Sequence, residues 1–458
     1  MTRARTDRAA PVSEDEARRA AREVLEHPGA DGIEVVIGAS NTGLTRYANS
    51  EIIQNTVKRD LRAYVRVVVG DRVATASTNQ LDGRRLRAAA DRAIEAAKAS
   101  RPDTHFPGLA DPSRVGEVRP RFKWDEDTVA TSPGRRAEAV RRILAASQAE
   151  NAAGIYETSA HVYSVFTSTG IDCYDAYSRC VVTCLVDSGE ATGWGEASSH
   201  SAAEVDVEAA ARRAADKAAR GRGARDAEPG RYEVVLEAPA VALMLEYLSY
   251  MGFGAKAMIE GESFMSSRRG ETVATPQVTI ADDVAHDLSV GIGFDFEGVS
   301  RRRVAVIDAG TATSPVVDLR TGKQLGEPST GHFSGSNEFG PYASHIVMHP
   351  GDRSLEELIG GVDDGLLVTR FHYVNVLQRP ETLLTGMTRD GVFRIRDGEV
   401  AEGVHNLRFA QNVLDALSSV EGIGRDLEAF PPDYGSFGSE VAPALRLGEF
   451  HFSSRTSH

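Results

Sequence analysis

The chain has 458 residues, a length that favours two domains over one. Hydrophobic residues make up 41% and charged residues 26% of the chain, a globular balance that excludes a mostly disordered protein. The net charge of −14 argues against a nucleic-acid partner, because duplex-binding proteins carry a basic surplus that replaces counterions on phosphates.

The first 220 residues alternate between Ala-rich helical stretches and strand-like stretches. Residues 1–12 are expected to form a flexible tail. Ser13 and Glu16 form a capping-box pattern that predicts the start of a helix. An alternating strand over 62–69 turns at Gly70 into a second strand, which predicts a hairpin. Further predicted elements are helices over 82–100, 132–151 and 205–220 and strands over 156–167 and 173–187.

Cysteine usage and the lack of a targeting segment indicate the cytoplasm. Cys173, Cys180 and Cys184 are an odd and sparse set, which argues against a disulfide framework. We expect Cys180 and Cys184, on one face of a strand, to be buried small hydrophobic side chains. No apolar run approaches the roughly 20 residues that cross a bilayer, so no membrane partner is expected.

The composition changes at residues 221–230, which are rich in Gly and charge and are predicted to be a linker. Residues 13–220 are predicted to form an N-terminal α+β domain with an antiparallel sheet and long helices. Residues 231–458 are predicted to form a C-terminal, mainly antiparallel β domain with a buried helix, so the predicted fold class is α+β. In this second half, the pairs Asp390–Gly391 and Asp397–Gly398 predict turns on either side of one strand.

The predicted buried helix of the second half is the most informative stretch. Pro239 stands at its start and Gly252 at its end, and the residues between are nearly all apolar. Glu246 is the single charge among them. A buried carboxylate must find a partner or stay protonated. Two interpretations stay open: Glu246 pairs with an arginine or with solvent at the helix edge, or it is a remnant or active acid–base group.

One histidine pair has a spacing that could suggest a metal site. On a helix, His345 and His349 would share a face and could bind zinc. The β-branched residues between them and the following Pro350 favour an extended chain instead. In a strand the two imidazoles would lie roughly 13 Å apart, too far for one ion. The pattern therefore argues against a metal site here.

Several short blocks lie in a fixed order along most of the chain. The blocks are Thr45–Gln54 (TRYANSEIIQ), Ala76–Asn79 (ASTN), Gly261–Phe264 (GESF), Ile280–Asp283 (IADD), Thr385–Gly391 (TGMTRDG) and Ile395–Glu399 (IRDGE). In their order and spacing, from about residue 14 to the C-terminus, the chain resembles the TldD/PmbA family, the "modulator of DNA gyrase" peptidases.

The resemblance implies a specific assignment for the buried helix. Members of the TldD type carry H-E-x-x-x-H on this helix and bind a catalytic metal with it and a later Cys; members of the TldE (PmbA) type lack it. At the two His positions this chain has Leu245 and Tyr250, the Glu position survives as Glu246, and no Cys follows Cys184. The resemblance therefore implies a TldE-type chain that binds no metal, with zinc expected in a TldD-type partner and Glu246 as a remnant of the acid–base position.

Three functions follow from this resemblance and from the residues. The first is a non-metal subunit of a cytoplasmic TldD/TldE-type metallopeptidase that acts on unfolded peptides, paired as a dimer with a TldD-type chain or with itself. The second is a stand-alone hydrolase of amide bonds in a small natural product or peptide, using Glu246, Tyr250 and either His332 or His372. The third is a regulatory binding protein.

Overall fold

The computed structural model of the protein describes residues 10–114, 123–433 and 437–456. Most of the predicted tail, residues 1–9, lies outside these ranges. Val12 is buried, and its carbonyl accepts a hydrogen bond of 2.8 Å from the Tyr174 hydroxyl. Within the described ranges, no helix combines the length and the apolar character that a membrane crossing requires.

The helices follow the predicted pattern closely in the first half. The α-helices of the described residues are α1 (Glu14–Leu25), α2 (Gly83–Ala99), α3 (Glu126–Val129), α4 (Pro133–Ser147), α5 (Val207–Arg220), α6 (Ala238–Gly252), α7 (Ala255–Ile259), α8 (Met265–Arg268), α9 (Leu319–Leu325), α10 (Leu355–Gly360) and α11 (Val413–Ser418). Ser13 caps α1 by accepting a hydrogen bond from the Glu16 backbone N–H, as the sequence predicts.

The strands form three sheets. In chain order they are β1 (Gly32–Ala48), β2 (Glu51–Val69), β3 (Arg72–Thr78), β4 (Ala152–Thr167), β5 (Asp172–Asp187), β6 (Thr192–Ser199), β7 (Gly230–Leu236), β8 (Ile280–Asp282), β9 (Val304–Asp308), β10 (Thr311–Ala312), β11 (His345–Met348), β12 (Asp364–Gln378), β13 (Leu383–Arg396), β14 (Glu399–Gly403), β15 (Leu407–Asn412), β16 (Val420–Ile423), β17 (Glu428–Phe430), β18 (Ser439–Ala442) and β19 (Leu445–Arg455).

The N-terminal sheet has the order β3-β2-β1-β4-β5-β6 and is antiparallel throughout. Helices α1, α2, α4 and α5 cover one of its faces. Cys180 and Cys184 are buried under α4 and α5, which confirms their expected role as small core residues. The opposite face, including Val165 and Tyr177, packs against Val290 and Ile292 of the second half.

The second half contains a mixed sheet and a closed barrel. The mixed sheet has the order β10-β9-β8-β11-β18-β17, with β11 and β18 parallel. In the other sheet, β12-β7-β19-β15-β13 form a ring of five strands because β13 also pairs with β12. All but one of the pairings in this ring are antiparallel. The chain is therefore α+β with a β-rich second half, as predicted.

One predicted turn is wrong. Asp397 and Gly398 turn the chain between β13 and β14, but Asp390 and Gly391 lie inside β13. Both of these residues have positive φ, 56° and 133°, and the register with β12 shifts beside them. They form a bulge, which uses the same residue types as a turn because both need left-handed backbone conformations.

This bulge links the two halves of the molecule. It turns the buried Asp390 carboxylate towards β6, where the Thr192 hydroxyl donates a hydrogen bond of 2.7 Å to it. Arg370 donates to the same carboxylate from β12, with its Nε at 2.9 Å. The Arg370 guanidinium also lies over the Trp194 ring, 3.7 Å from the ring centroid.

Candidate functional site

Helix α6 lies at the centre of the largest hydrophobic core. Pro239 is in its first turn, where a missing N–H costs nothing. Twelve of its fifteen residues are buried, so the helix is enclosed on nearly all sides, as its uniform apolar sequence predicts. It packs against β7, β11, β12, β17 and β18, and therefore joins the barrel to the mixed sheet.

The three residues of α6 that the resemblance singles out have different environments. Leu245 is fully buried in the core. Glu246 is 5% exposed, and its carboxylate accepts a hydrogen bond of 3.0 Å from the Asp433 backbone N–H. Tyr250 is 40% exposed. Five residues along a helix correspond to a rotation of roughly 140°, so the side chains at 245 and 250 leave the helix in different directions.

Tyr250 lies at the edge of a cavity at the C-terminal end of α6. Its ring stacks on Phe339 with centroids 5.8 Å apart, and the Arg379 guanidinium lies 4.6 Å from its centroid. The cavity has a volume of about 230 Å³, and Ser249 and Tyr342 form part of its inner wall. Aromatic rings and a paired arginine therefore stand where the resemblance places a metal ligand.

The residues at this position do not fit a zinc centre. Leu245 has no lone pair to donate, and the sequence has no Cys after Cys184. Across residues 10–114, 123–433 and 437–456, no group of three or more His, Cys, Asp or Glu side chains is placed to hold a metal ion. We therefore derive no metal-assisted step for this chain.

The segment that carries His345 and His349 is extended, as predicted. His345 begins β11 and is fully buried. His349 follows the strand, and its Nε2 lies 2.9 Å from a guanidinium nitrogen of Arg303.

Behind α6 lies a buried polar cluster that sequence reasoning did not assemble. Its buried members come from well-separated segments and are Asp282, Arg301, His332, His345 and Glu440, and the half-buried Tyr342 lies beside them. His332 Nε2 lies 2.9 Å from Asp282 Oδ1, and the His345 backbone N–H donates to Asp282 Oδ2 at 2.9 Å. Arg301 Nε and Nη1, His345 Nε2 and Glu440 Oε2 have no hydrogen-bond partner among the described residues.

Burial sets the protonation states of this polar cluster. It lowers the pKa of His345 to about 3, and the positive charge of Arg301 acts in the same direction. Burial, and then the negative charge of Glu246, raise the pKa of Glu440 well above its ordinary value. For Asp282, burial favours a higher pKa, but His332, His345 and Arg301 together outweigh it and the pKa is lowered. Near neutral pH, His345 is thus uncharged and Asp282 is ionised.

Comparison with known proteins places this geometry in a family. Residues 229–454 match the model described as the PmbA/TldA metallopeptidase C-terminal domain, and residues 33–97 match PmbA/TldA metallopeptidase domain 1. The chain belongs to the PmbA/TldD family. The first match contains α6, the polar cluster and the barrel, so the family assignment covers the whole candidate site.

The fold is similar to that of TldE from Thermococcus kodakarensis, with a TM-score of 0.83, 21% identity, and coverage of 96% of this chain and 99% of that one. A metalloprotease of Methanothermobacter thermautotrophicus is 28% identical over 225 residues, 48% of this chain and 49% of that protein. A zinc metalloprotease TldD homolog of Saccharolobus solfataricus is 24% identical over 206 residues, 43% of this chain and 44% of that protein. The chain matches about half the length, or less, of these curated relatives.

Within this PmbA/TldD fold, the two histidines proposed with Glu246 lie in different surroundings. His332 is fully buried in the polar cluster, and its Nδ1 lies 2.9 Å from the Thr330 hydroxyl. His372 is on β12 beside Tyr373, and its pKa is lowered by burial and by Arg370. Tyr342 lies between the polar cluster and α6. Burial raises the pKa of its hydroxyl, and the negative charges of Glu440 in the cluster and Glu246 on α6 raise it further. Of this cluster, the sequence argument had named only His332 and His345.

Proposed function

We propose that this chain is the non-metal subunit of a cytoplasmic TldD/TldE-type peptidase that acts on unfolded peptides, with zinc held by a TldD-type partner. The observation that carries the proposal is the pair of residues at the family's ligand positions. Leu245 is a core residue, and Tyr250 is engaged by Phe339 and Arg379. A metal-activated water needs open coordination by several imidazole or carboxylate ligands, and this helix offers only the buried Glu246 carboxylate, which accepts the Asp433 N–H.

The exposed side chains around the C-terminal end of α6 support a docking role. Large apolar side chains are exposed on the neighbouring elements: Tyr250 40%, Ile259 41%, Phe339 43%, Tyr373 72% and Leu377 54%. Tyr373 also has a φ of +48°, an uncommon conformation that aims its ring outward from a strand irregularity. Exposed apolar side chains of this kind are typical of surfaces that bind another protein. We infer that the partner subunit covers this surface.

Glu246 is then a positioning residue in this chain. Its carboxylate accepts the Asp433 N–H, which ties α6 to the segment before β18. Without a metal to activate water, a buried carboxylate is a poor general base. Under this proposal Glu246→Gln leaves peptide cleavage by the assembled enzyme within about threefold of the parent, since an amide oxygen can accept the same hydrogen bond.

The decisive experiment is co-expression with a TldD-type chain that contains H-E-x-x-x-H. Cleavage of a casein-derived peptide is measured for each chain alone and for the mixture. We expect neither cleavage nor bound zinc for this chain alone, and full cleavage for the mixture. Full metal-dependent cleavage by this chain alone would overturn the proposal.

A matched pair of variants tests the docking surface. Tyr250→Ser removes an exposed ring beside the cavity, and Ile53→Ser removes an exposed side chain (60% exposed) from β2. We expect Tyr250→Ser to reduce co-purification with the partner and Ile53→Ser to leave it unchanged. The reverse result would move the interface to the N-terminal sheet.

The polar cluster favours the stand-alone amide hydrolase as a second candidate. It places an ionised Asp282 beside His332, an arrangement that can orient an imidazole. Cleavage of an amide substrate by the purified chain, lost in His332→Gln and retained in His349→Gln, would support this alternative.

A further inference from the structure

A large cavity lies at the other end of α6, between the N-terminal sheet and the barrel, and has a volume of about 660 Å³. One wall is formed by β6 and α5, and the other by α10, β14 and the segment that leads into β17. Small-molecule sites are usually of this size and often lie where two structural units meet. Leu245, Glu246 and Tyr250 do not line it, so it is separate from the cavity beside Tyr250.

The wall formed by α5 carries three basic residues and one acidic residue, Asp216. Arg213, Lys217 and Arg220 are spaced by four and three residues, which places them on one side of the helix. Lys217 is paired with Glu237 at the start of α6, and Arg213 lies 3.9 Å from Glu428. Arg220 lines the cavity and has no ion pair among the described residues. It is thus the guanidinium of this wall that is available to a ligand.

The opposite wall is acidic. Glu399 begins β14 and Asp426 lies just before β17, and both carboxylates are exposed. Within the described residues neither has an ion pair, unlike Glu237 and Glu428. In total, seven acidic and three basic residues line the cavity, so its potential favours a positive group more strongly than a negative one.

The floor between these walls is apolar. It is formed by Leu355, Ile359, Leu367, Phe393 and Val400, which belong to a small core beneath α10. An apolar floor with a guanidinium, Arg220, and two carboxylates, Glu399 and Asp426, at its sides, each without an ion pair in the described part of the chain, suits a molecule with a charge at each end and aliphatic groups between them.

We propose that this cavity binds a short peptide with free termini, whose ammonium group lies at Glu399 and Asp426 and whose carboxylate lies at Arg220. Side chains of the peptide contact the apolar floor, and Trp194 on the β6 wall lies within reach of the bound peptide. This binding needs neither a metal nor a partner chain, so it stands or falls independently of the proposed subunit role.

Trp194 provides a local readout, because the chain has two tryptophans, Trp124 and Trp194. In the full-length Trp124→Phe variant, the fluorescence of Trp194 is followed while Ala-Leu-Ala is added, and calorimetry on the unmodified chain measures the same binding. We expect a saturable change with the free tripeptide. N-acetylation should weaken binding by about fivefold or more, and C-terminal amidation by a smaller factor, since each removes one half-exposed charge pair and the acidic residues are in excess.

Charge-neutralising variants connect the binding to the two walls. Glu399→Gln should remove most of the preference for the free amino terminus, and Arg220→Gln the preference for the free carboxylate. Arg212→Gln is the matched control, because Arg212 is on the same helix but does not line the cavity. The proposal is overturned if calorimetry detects no binding at millimolar tripeptide, if free and blocked peptides bind equally, or if Arg212→Gln has the same effect as Arg220→Gln.

Discussion

The N-terminal sheet and the barrel half bury their helices in different ways. Helices on the N-terminal sheet present stripes of alanine, such as Ala210 and Ala214 of α5, and keep a polar face in solvent. Glycines on β6 allow this close approach: a Cβ on Gly195 would lie 1.9 Å from the Ala210 carbonyl oxygen. Helix α6 instead buries large apolar side chains on nearly every side.

The difference bears on our proposal that Leu245 stands at a former ligand position. On an amphipathic helix, a lost metal ligand would be replaced by another exposed residue with little effect on stability. On an enclosed helix such as α6, an apolar replacement gains burial free energy, and Leu245 is part of the resulting core. Four measurements test this comparison.

The largest effect is expected within α6. Leu248→Ala removes a fully buried side chain and should lower the free energy of unfolding by roughly 2–5 kcal/mol, because the enclosed helix cannot move to fill the cavity. Urea unfolding followed by circular dichroism measures this. The control, Ile259→Ala at a 41% exposed site, should change stability by less than about 1 kcal/mol. A similar small loss for both would show that α6 is loosely packed.

A second effect is expected at the link between the halves. Asp390→Ala leaves Arg370 without its carboxylate and should cost about 3 kcal/mol, since Asp390 is 1% exposed. Asp364→Ala breaks a pair with Arg394 on the same two strands, but the Asp364 side chain is 60% exposed, so the expected loss is about 1 kcal/mol or less. Equal losses in urea unfolding would contradict the assignment of Asp390 as the buried link.

A third effect tests close packing on the N-terminal sheet. Gly195→Ala should destabilise the chain by about 1–3 kcal/mol, because the new methyl group meets the backbone of α5 and neither element can yield easily. Gly134→Ala is the control: its nearest neighbour atom would be 3.9 Å away, so the change should be neutral or stabilising by up to about 1 kcal/mol. Thermal unfolding of the two variants compares them directly, and a tolerated Gly195→Ala would refute the packing argument.

The fourth effect is the change of stability with pH, to which one histidine in each half contributes. Counted per pH unit, it is the smallest of the four. Burial lowers the pKa of His161 and of His345 from 6.5 to about 3, helped by Arg179 for His161 and by Arg301 for His345. Between these values the unfolded chain binds more protons than the folded one. Stability from each His is complete above pH 6.5 and falls by about 1.4 kcal/mol per pH unit as the pH drops towards 3.

Urea unfolding from pH 4 to 7 measures this dependence, in which the neighbouring carboxylates also titrate. His161→Gln should reduce the slope of the unfolding free energy against pH by about 1.4 kcal/mol per pH unit, the contribution of one titrating group. The contribution of His345 should remain. An unchanged slope would mean that His161 is already charged in the folded chain.

Local patterns predicted the elements that depend on neighbouring residues. Ser13, Gly70 and Pro239 act within one turn of the backbone, so the capped helix, the hairpin and the start of α6 follow from the sequence. At Asp390 the sequence predicts a turn where the structure has a bulge, because residues that favour left-handed conformations carry no local sign that the strand continues.

The remaining features depend on contacts between distant segments. The polar cluster joins Asp282, His332 and Glu440, residues that no spacing rule relates. The closure of the barrel depends on the register of β12 with β13 and of β7 with β19, which a single sequence does not specify.

The closed ring of strands has one further consequence. Its interior is filled by aromatic side chains, among them Phe371, Phe409 and Phe450, and by Met244 from α6. The space left between them is about 10 Å³, barely the room that a single water molecule requires. Around these side chains the ring is a packed hydrophobic core and not an open channel.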